Sequence, residues 1–417
     1  MSTSKGEAYL DIVWRQFKKN RSALLALVIL GPLFLLAIFA PVLASAQPFV
    51  FQDGPRRLFP WFRDLFNAEE AVDFFFNMAL VGFFPWLVLA LASNWFGCRR
   101  GVPGRVRLLW TAAEYAAILA ALLVLFGVGA LGLRPANRYA ARSFAEEQFR
   151  HPDRMRGWYA PIPLGPLEQD IPARFQPPGF RNVDPLTRTS VHESFPHWLG
   201  TDDSGRDVLV RMIYGTRISL TVGFVAVGIY ITLGIIVGAI AGYFGGAADM
   251  LISRVIEVML VFPSFFLILT LVALLGPSIY IIMVVIGLTG WPSIARLIRG
   301  EVLKQRAMDY VTAARALGAS HGRIIFRHIL FNAMGPALVA APFGIADAIT
   351  AEAGLSLLGF GVRPPAPSWG AVLELGRDNY SYWWLIVVPS LAMFLTLTVF
   401  NLVGTGLRDA MDPRLRK

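Results

Sequence analysis

The chain has 417 residues, of which 55% are hydrophobic and only 16% charged, and its mean hydropathy is +0.55. Soluble domains contain about 25% charged residues, so this composition excludes an ordinary soluble protein and favours one solvated largely by lipid. The single cysteine, Cys98, excludes an intramolecular disulfide framework and a cysteine-rich zinc module. The formal net charge of +10 can indicate a protein that binds nucleic acid. It can also reflect basic residues concentrated on one side of a membrane, so their positions decide between the two.

Charge-free runs predict the membrane-spanning helices, because a charge at the bilayer centre is costly and about 20 apolar residues cross the hydrocarbon. They indicate an all-α polytopic membrane protein. The first run lacks a signal-peptide cleavage pattern, so we interpret it as a retained first helix. The eight predicted spans are about 23–45, 74–96, 108–133, 218–243, 255–276, 278–297, 334–358 and 384–406.

Basic residues predict the orientation of these spans. With the N-terminus inside, 21 Lys and Arg residues lie inside and five lie in the short outside loops. The connection 134–217 does not enter this comparison, because loops longer than about 60 residues do not follow the positive-inside rule. Both termini are therefore predicted to be cytoplasmic, and the positive charge needs no nucleic-acid partner.

Three segments outside the spans have their own predicted roles. Residues 1–22 are basic and either form an amphipathic helix on the cytoplasmic surface or simply flank the first span. Residues 134–217 are rich in proline and are predicted to form a mostly irregular periplasmic region. Residues 408–417 form a cytoplasmic tail.

The longest inside connection, 298–333, has the pattern of a helix, a glycine corner and a second helix. Residues 309–317 form the first helical pattern, and Gly318 stands where a left-handed C-cap belongs. Ser320 is placed to cap the second helix. We predict a protruding knob at the membrane surface that fits a groove on a soluble partner.

Motifs for catalysis are absent from the sequence. No Gly-x-x-x-x-Gly-Lys-[Ser/Thr] occurs, so no nucleotide-binding P-loop is predicted, and the five histidines do not pair at metal spacing. The acidic run 202–207 lacks the ligand spacing of a calcium loop and favours a turn that opens the next helix. We predict a protein that is not an enzyme and binds no metal or cofactor directly.

Five blocks carry a resemblance to one family: 15–24 with 39–41, 197–220, 313–320, 352–370 and 406–414. They include HWLGTDDSGRDV at 197–208, AARALGAS at 313–320 and EAGLSLLGFGV at 352–362. On these residues the chain resembles the membrane subunit of bacterial binding-protein-dependent ABC importers, and more narrowly the C-type permease of oligopeptide and dipeptide systems. The family signature of the outer segment falls on Gly200, Thr201, Asp202, Gly205, Arg206 and Asp207.

The resemblance implies an importer-type ABC permease bundle with a six-helix core. The core occupies the first span and 218–407, and 74–133 is then an inserted hairpin that either stabilises the periphery or contacts an accessory protein. The family has Glu, Ile and Pro where this chain has Thr312, His328 and Phe331. The coupling helix to the ATPase falls on Thr312, Ala313, Ala314, Arg315, Leu317, Gly318, Ala319 and Ser320.

Partners follow from the same resemblance. It implies ABC ATPase subunits that bind the ATP, a second homologous permease subunit and a periplasmic or lipoprotein solute-binding protein. The chain itself would lie in lipid in the bacterial inner membrane and bind no nucleic acid. Its expected function is to move di- or oligopeptides inward; relatives of this kind also carry nickel complexes and other solutes.

Two carboxylates fall inside a predicted span, Asp347 and Glu352. Such groups usually face a bundle interior or a wet cavity. Either they line the translocation path and meet the amino end of a peptide, or they pair with an arginine or cap a broken helix.

Two rival classes remain open from the sequence. An ion- or proton-coupled secondary transporter predicts inverted repeats, which the sequence does not show, and leaves the knob without a function. A membrane-embedded enzyme needs a nucleophile–base or metal constellation at membrane depth, and the sequence has none.

Overall fold

The computed structural model describes residues 9–68, 70–127, 142–181 and 191–412. In these residues, seven helices are long and apolar enough to span a membrane, and one sharply bent helix pair makes an eighth. The prediction of about eight spans in a helical bundle is thereby confirmed. Parts of the predicted N-terminal segment, third span, outer region and tail lie outside the described residues, at 1–8, 128–141, 182–190 and 413–417.

Two helices begin the described chain: α1, Tyr9–Phe17, and α2, Arg21–Leu43. Asn20 caps α2 through its side-chain oxygen, which satisfies a free backbone N–H of the first turn. Phe17 is buried in a small apolar cluster with Ala410 from the far end of the sequence. Residues 9–17 of the N-terminal segment are therefore helical. The first and last described residues lie at one end of the bundle, the terminal end; the opposite end is the loop end.

At the loop end the chain forms β1, Val50–Asp53, β2, Arg56–Leu58, and α3, Pro60–Asp64. It then re-enters the bundle as α4, Ala71–Arg99, and returns as α5, Gly104–Gly127. These two helices are the predicted hairpin. None of the spanning part of α5 is buried, so the hairpin packs on the outside of the bundle through α4.

The outer region contains more regular structure than predicted. It includes α6, Phe144–Arg150, and β3, Met155–Trp158. β3 pairs antiparallel with β1 in a three-stranded sheet of order β2-β1-β3, in which Phe51 lies opposite Gly157. Sequence analysis missed this sheet because its strands are only three or four residues long, too short for an alternating pattern.

The next helices are α7, Val208–Phe244, α8, Gly246–Val261, and α9, Ser264–Leu275. The span predicted at 255–276 falls on a broken helix pair, in which α8 and α9 meet at an angle of 85°. Pro263 causes the break: it provides no backbone N–H, and it holds the preceding residue in an extended conformation. Helix α8 also occupies most of the turn predicted at 244–254.

Helix α10, Ile279–Arg306, lies tightly against α7 along most of its length. Two glycines of α7 make this approach possible. A Cβ at Gly238 would lie 2.5 Å from the carbonyl oxygen of Ala295, and one at Gly242 would lie 2.8 Å from that of Arg299. These glycines let two helix backbones approach closely, as small residues do in membrane bundles.

The remaining helices complete the bundle. Ile324–Ile329 form a π-helical turn, where sequence analysis predicted an ordinary helix. The largest apolar core lies where α7, α10 and the next spanning helix meet, around Ile298 and Ile349. The helices are α11, Asp309–Ala316, α12, His321–Arg323, α13, Leu330–Ala333, α14, Gly335–Leu357, α15, Trp369–Asp378, and α16, Trp384–Met411.

Candidate functional site

The coupling segment, residues 309–333 at the terminal end, has the predicted shape. Helix α11 ends at a corner where Gly318 has φ +76°, a left-handed conformation that favours glycine. The Ser320 hydroxyl then accepts a hydrogen bond from the backbone N–H of Arg323 and caps α12. The structure therefore has the left-handed corner predicted at Gly318 and the helix cap predicted at Ser320.

Apolar side chains are exposed on this segment. Leu317, at the corner, is 88% exposed, and Phe326 and Phe331 are 74% and 67% exposed. Arg323 and Arg327 of the same segment are also exposed. An exposed apolar group with a polar surround is typical of a protein–protein contact.

The base of the coupling segment is fixed to the bundle. Val311 of α11 is fully buried in the main core. Tyr243, in the last turn of α7, lies with its Oη 2.8 Å from Nδ1 of His321, and the two rings also meet edge to face. Sequence analysis did not single out this pair, because its members are 78 positions apart. The corner therefore projects from the bundle, while its root is packed against the core and α7.

A cavity of about 1220 Å³ opens beside the coupling segment. It extends from Asp347, in the middle of α14, to Asn332 at the terminal end. Its walls come from α7, α10, α14, α16 and the bend between α8 and α9. Asp347 is exposed in this cavity and forms no ion pair or hydrogen bond with any described residue.

Glu352 has different surroundings, although it lies only five residues further along α14. Its side chain is fully buried, and its Oε1 accepts hydrogen bonds from the hydroxyls of Ser356 at 3.0 Å and Ser368 at 2.9 Å. It does not line this cavity. Glu352 ties α14 to the N-terminus of α15, and Asp347 is the carboxylate that faces open space.

The outer signature segment is a compact turn held by ion pairs. Asp202 accepts from the Arg206 Nε at 2.7 Å and lies 3.4 Å from that of Arg211. Asp207 caps α7 through the backbone N–H of Val210 at 2.8 Å. The predicted turn that opens a helix is confirmed, and these carboxylates are engaged with cations and amides of the chain itself.

The same segment is locked to neighbouring elements. Gly205 has φ +73°, and a Cβ there would lie 1.7 Å from the carbonyl oxygen of Asp170, so only glycine fits. Oδ2 of Asp207 also lies 2.9 Å from Nδ1 of His197. Trp384 donates from Nε1 to the carbonyl oxygen of Thr201 at 3.0 Å. Helices α7 and α16 therefore share one rigid anchor at the loop end.

The hairpin is joined to the core by an ion pair that sequence analysis did not predict. Arg217 of α7 is fully buried and donates from Nη1 to Asp73 of α4 at 2.8 Å. Its Nε donates to the carbonyl oxygen of Ala37 in α2 at 2.7 Å. Asp73 and Arg217 each stand immediately before a charge-free run. The sequence could have indicated this pair, because both residues stand at the start of a predicted span on the same side of the membrane.

Comparison with known proteins agrees with this architecture. Residues 234–417 match the family described as the inner membrane component of binding-protein-dependent transport systems, and residues 8–60 match the N-terminal membrane domain of oligopeptide transport permease C. The dipeptide transport system permease protein DppC of Alkalihalophilus pseudofirmus is 43% identical over 242 residues, which cover 55% of this chain and 80% of the relative. The chain belongs to the family of dipeptide and oligopeptide C-type permeases.

The chain is also similar to an oligopeptide permease and to a solved ABC transporter. The oligopeptide transport system permease protein OppC of Bacillus subtilis is 38% identical over 245 residues, 58% of this chain and 80% of the relative. A solved methionine ABC transporter, MetNI in an inward-facing conformation, aligns with a TM-score of 0.40 and 17% identity, over 49% of this chain and 96% of that one. Membership of the family and the apolar helices make the permease a multi-pass inner-membrane protein with a transport role.

Proposed function

We propose that this permease carries peptides into the cell as one membrane subunit of an ABC importer. Separate ATPase subunits would bind and hydrolyse the ATP, a second permease subunit would complete the path, and an external binding protein would deliver the peptide. The terminal end would face the cytoplasm, in agreement with the distribution of basic residues. The dipeptide and oligopeptide names of the relatives support peptides as the cargo.

The coupling segment is the observation that carries this proposal. A permease with no nucleotide-binding motif in its sequence needs an external energy source, and an exposed apolar corner on a buried root suits a rigid contact with one. Leu317 would insert into a groove of the ATPase subunit, with Phe326 and Phe331 beside it.

Movement of the ATPase subunits would reach the path through α7. The Tyr243–His321 contact joins the coupling segment to one end of α7, and the Asp207 cap fixes the other end. A ligand shifts a conformational equilibrium only by its differential affinity for the two states. ATP would therefore act by changing how the ATPase subunits hold the coupling segment, and the helices would rock between inward-open and outward-open arrangements.

The cavity beside α14 would be the inward-open part of the path. It reaches the middle of the bundle and opens at the terminal end, where the coupling segment lies. Asp347 would meet the positively charged amino end of the peptide, because it is the carboxylate that faces the cavity at that depth. Glu352 would have a structural role between α14 and α15.

Site-specific cross-linking tests the docking surface. Cys98 is replaced by serine, and a single cysteine is placed at Leu317 in cells that express the whole transporter. We expect a bifunctional thiol–amine reagent to link Leu317→Cys to an ATPase subunit. Ile171→Cys, which is exposed at the loop end, is the matched control and should give no such product. A product from the control alone, or from neither variant, would contradict this docking.

A further inference from the structure

Two opposite charges face the inner cavity without an ion-pair partner among the described residues. Asp347 of α14 contributes a carboxylate, and Arg408 of α16 contributes a guanidinium. Both side chains are exposed, and the only described contact of the Arg408 guanidinium is with the ring of Phe343, 5.1 Å away. Opposite charges that are held apart in one cavity can each form a charge-assisted hydrogen bond with a ligand that carries both charges.

The spacing of these charges follows from the helix. Phe343 lies one turn before Asp347 on α14, which is a rise of about 6 Å. With Arg408 against the Phe343 ring, the carboxylate and the guanidinium are on the order of 10 Å apart. An extended chain advances about 3.3–3.6 Å per residue, so the two ends of a tripeptide are separated by a similar distance.

The wall between the charges has little power to choose among side chains. It is built from small or apolar residues of α14 and from small residues of α10, and its polar groups are neutral hydroxyls. Two further carboxylates line the cavity near its mouth: Asp412, and Glu301, which lies 3.8 Å from Lys304. The residues of this wall are Val339, Ala340, Gly344, Thr289, Gly290 and Ser293.

We propose that Asp347 and Arg408 bind the free amino and carboxyl ends of a short peptide of about three residues. The structure places one recognition group at each end of the cavity segment and leaves the middle permissive. The permease would then recognise a zwitterionic backbone of limited length and tolerate different side chains. This inference rests on the proposed function, because it assigns the recognition of the cargo to residues of the proposed path.

The test is binding of trialanine to the complete, nucleotide-free transporter in detergent, measured by calorimetry. The cavity opens at the terminal end, so the peptide can enter without the binding protein. N-acetyl-trialanine and trialanine amide each lack one terminal charge. Hydrogen bonds to charged groups contribute about 1.5–3 kcal/mol. Each modification should therefore weaken binding to the wild type by about tenfold or more.

Two variants separate recognition from a general loss of structure. In Asp347→Asn, N-acetyl-trialanine should bind as well as trialanine does, whereas trialanine amide should still bind more weakly. In Arg408→Gln, trialanine amide should bind as well as trialanine, and N-acetyl-trialanine should still bind more weakly. Glu257→Gln, which removes a carboxylate outside the cavity, is the control and should still bind both modified peptides more weakly. The inference would be overturned if each variant bound all three peptides more weakly by the same factor. It would also be overturned if both variants kept the wild-type differences in affinity between trialanine and its two modified forms.

Uptake distinguishes this inference from the proposed function. If the complete wild-type transporter does not accumulate trialanine with ATP, the proposed function fails. If it accumulates trialanine but the nucleotide-free complex shows no binding, or shows binding that ignores the terminal charges, recognition by Asp347 and Arg408 fails alone.

Discussion

Arg217 of α7 and Asp73 of α4 form an ion pair, with 2.8 Å between Nη1 and Oδ1, and the arginine is completely buried. Because Arg217 also donates to the backbone of α2 at Ala37, one side chain joins the hairpin, the first span and the core. The hairpin is peripheral by position, since the spanning part of α5 is not buried. Its first helix nevertheless supplies the charge that compensates a buried cation of the core.

Loss of this compensation should destabilise the permease. Removing one partner of a buried ion pair costs about 3–5 kcal/mol. Asp73 is partly exposed, so we expect Asp73→Asn to lower the free energy of unfolding by about 3 kcal/mol, the lower end of that range. Denaturant unfolding of the purified protein in detergent measures the effect.

An exposed ion pair provides the control for this experiment. Arg254 and Glu257 of α8 lie 2.6 Å apart and are both largely exposed, so Arg254→Gln should change stability by about 0–1 kcal/mol. Equal effects of Asp73→Asn and Arg254→Gln would show that the hairpin does not stabilise the core through Arg217.

The corner at Gly318 should depend on its backbone conformation. A Cβ at Gly318 has open space around it, so a substitution is penalised by the φ of +76° and not by a clash. For a β-branched residue we expect a cost of about 1–3 kcal/mol and a reoriented corner. Gly318→Val should therefore leave ATP hydrolysis intact and greatly reduce peptide uptake, both measured in proteoliposomes.

Gly322 is the matched position for this substitution. It also has open space around its Cβ, but it lies in α12 and its φ is not positive. Gly322→Val should therefore keep ATP hydrolysis and uptake coupled. If Gly318→Val stays fully coupled, the segment is not a rigid lever.

The link between α7 and the coupling segment should set the efficiency of coupling. Tyr243→Phe removes the 2.8 Å contact with His321 and keeps the ring packing. One hydrogen bond contributes about 1 kcal/mol, so the number of peptides moved per ATP should fall about fivefold. Tyr310→Phe removes an exposed bond of the same length to Gln305 and a longer one, of 3.4 Å, from Asn332; because both are exposed, it should have no effect. The same ratio in both variants would exclude transmission through Tyr243.

Close packing of α7 on α10 gives a fourth prediction. Gly238→Ala should destabilise the bundle, because its Cβ would lie 2.5 Å from the carbonyl oxygen of Ala295 and overpacking costs about 1–3 kcal/mol. Gly228 is on the same helix and has open space, so Gly228→Ala should be neutral or stabilising. Melting temperatures of the two variants in detergent give the comparison, and a fall for both would contradict the packing argument.

Local signals predicted much of this fold. Charge-free runs located the spans. Gly318 and Ser320 marked a corner and a cap, because a corner or a cap depends on residues within one turn. The 85° bend at Pro263 was missed, although the proline was visible, because hydrophobicity alone set the predicted span. Pairs such as Arg217–Asp73, 144 positions apart, depend on how helices pack, and no local pattern contains that information.

The candidate site, like the fold, could be predicted from the sequence only in part. The corner of the coupling segment was visible as a local pattern of helix, glycine and cap at 309–320. Asp347 and Glu352, by contrast, gave the same signal, and only the structure separates them. Asp347 faces the cavity, and Glu352 is buried between two serines. Arg408 was part of a family block but had no predicted role, because its place beside Phe343 depends on the packing of α16 against α14.

Peptide uptake by the complete transporter in sealed proteoliposomes is the most direct test of the central claim. We predict that trialanine accumulates only when the ATPase subunits, ATP and the binding protein are all present, and that an imposed proton gradient alone gives no accumulation. Accumulation driven by the proton gradient in the absence of ATP would contradict the assignment of this permease to an ATP-driven importer.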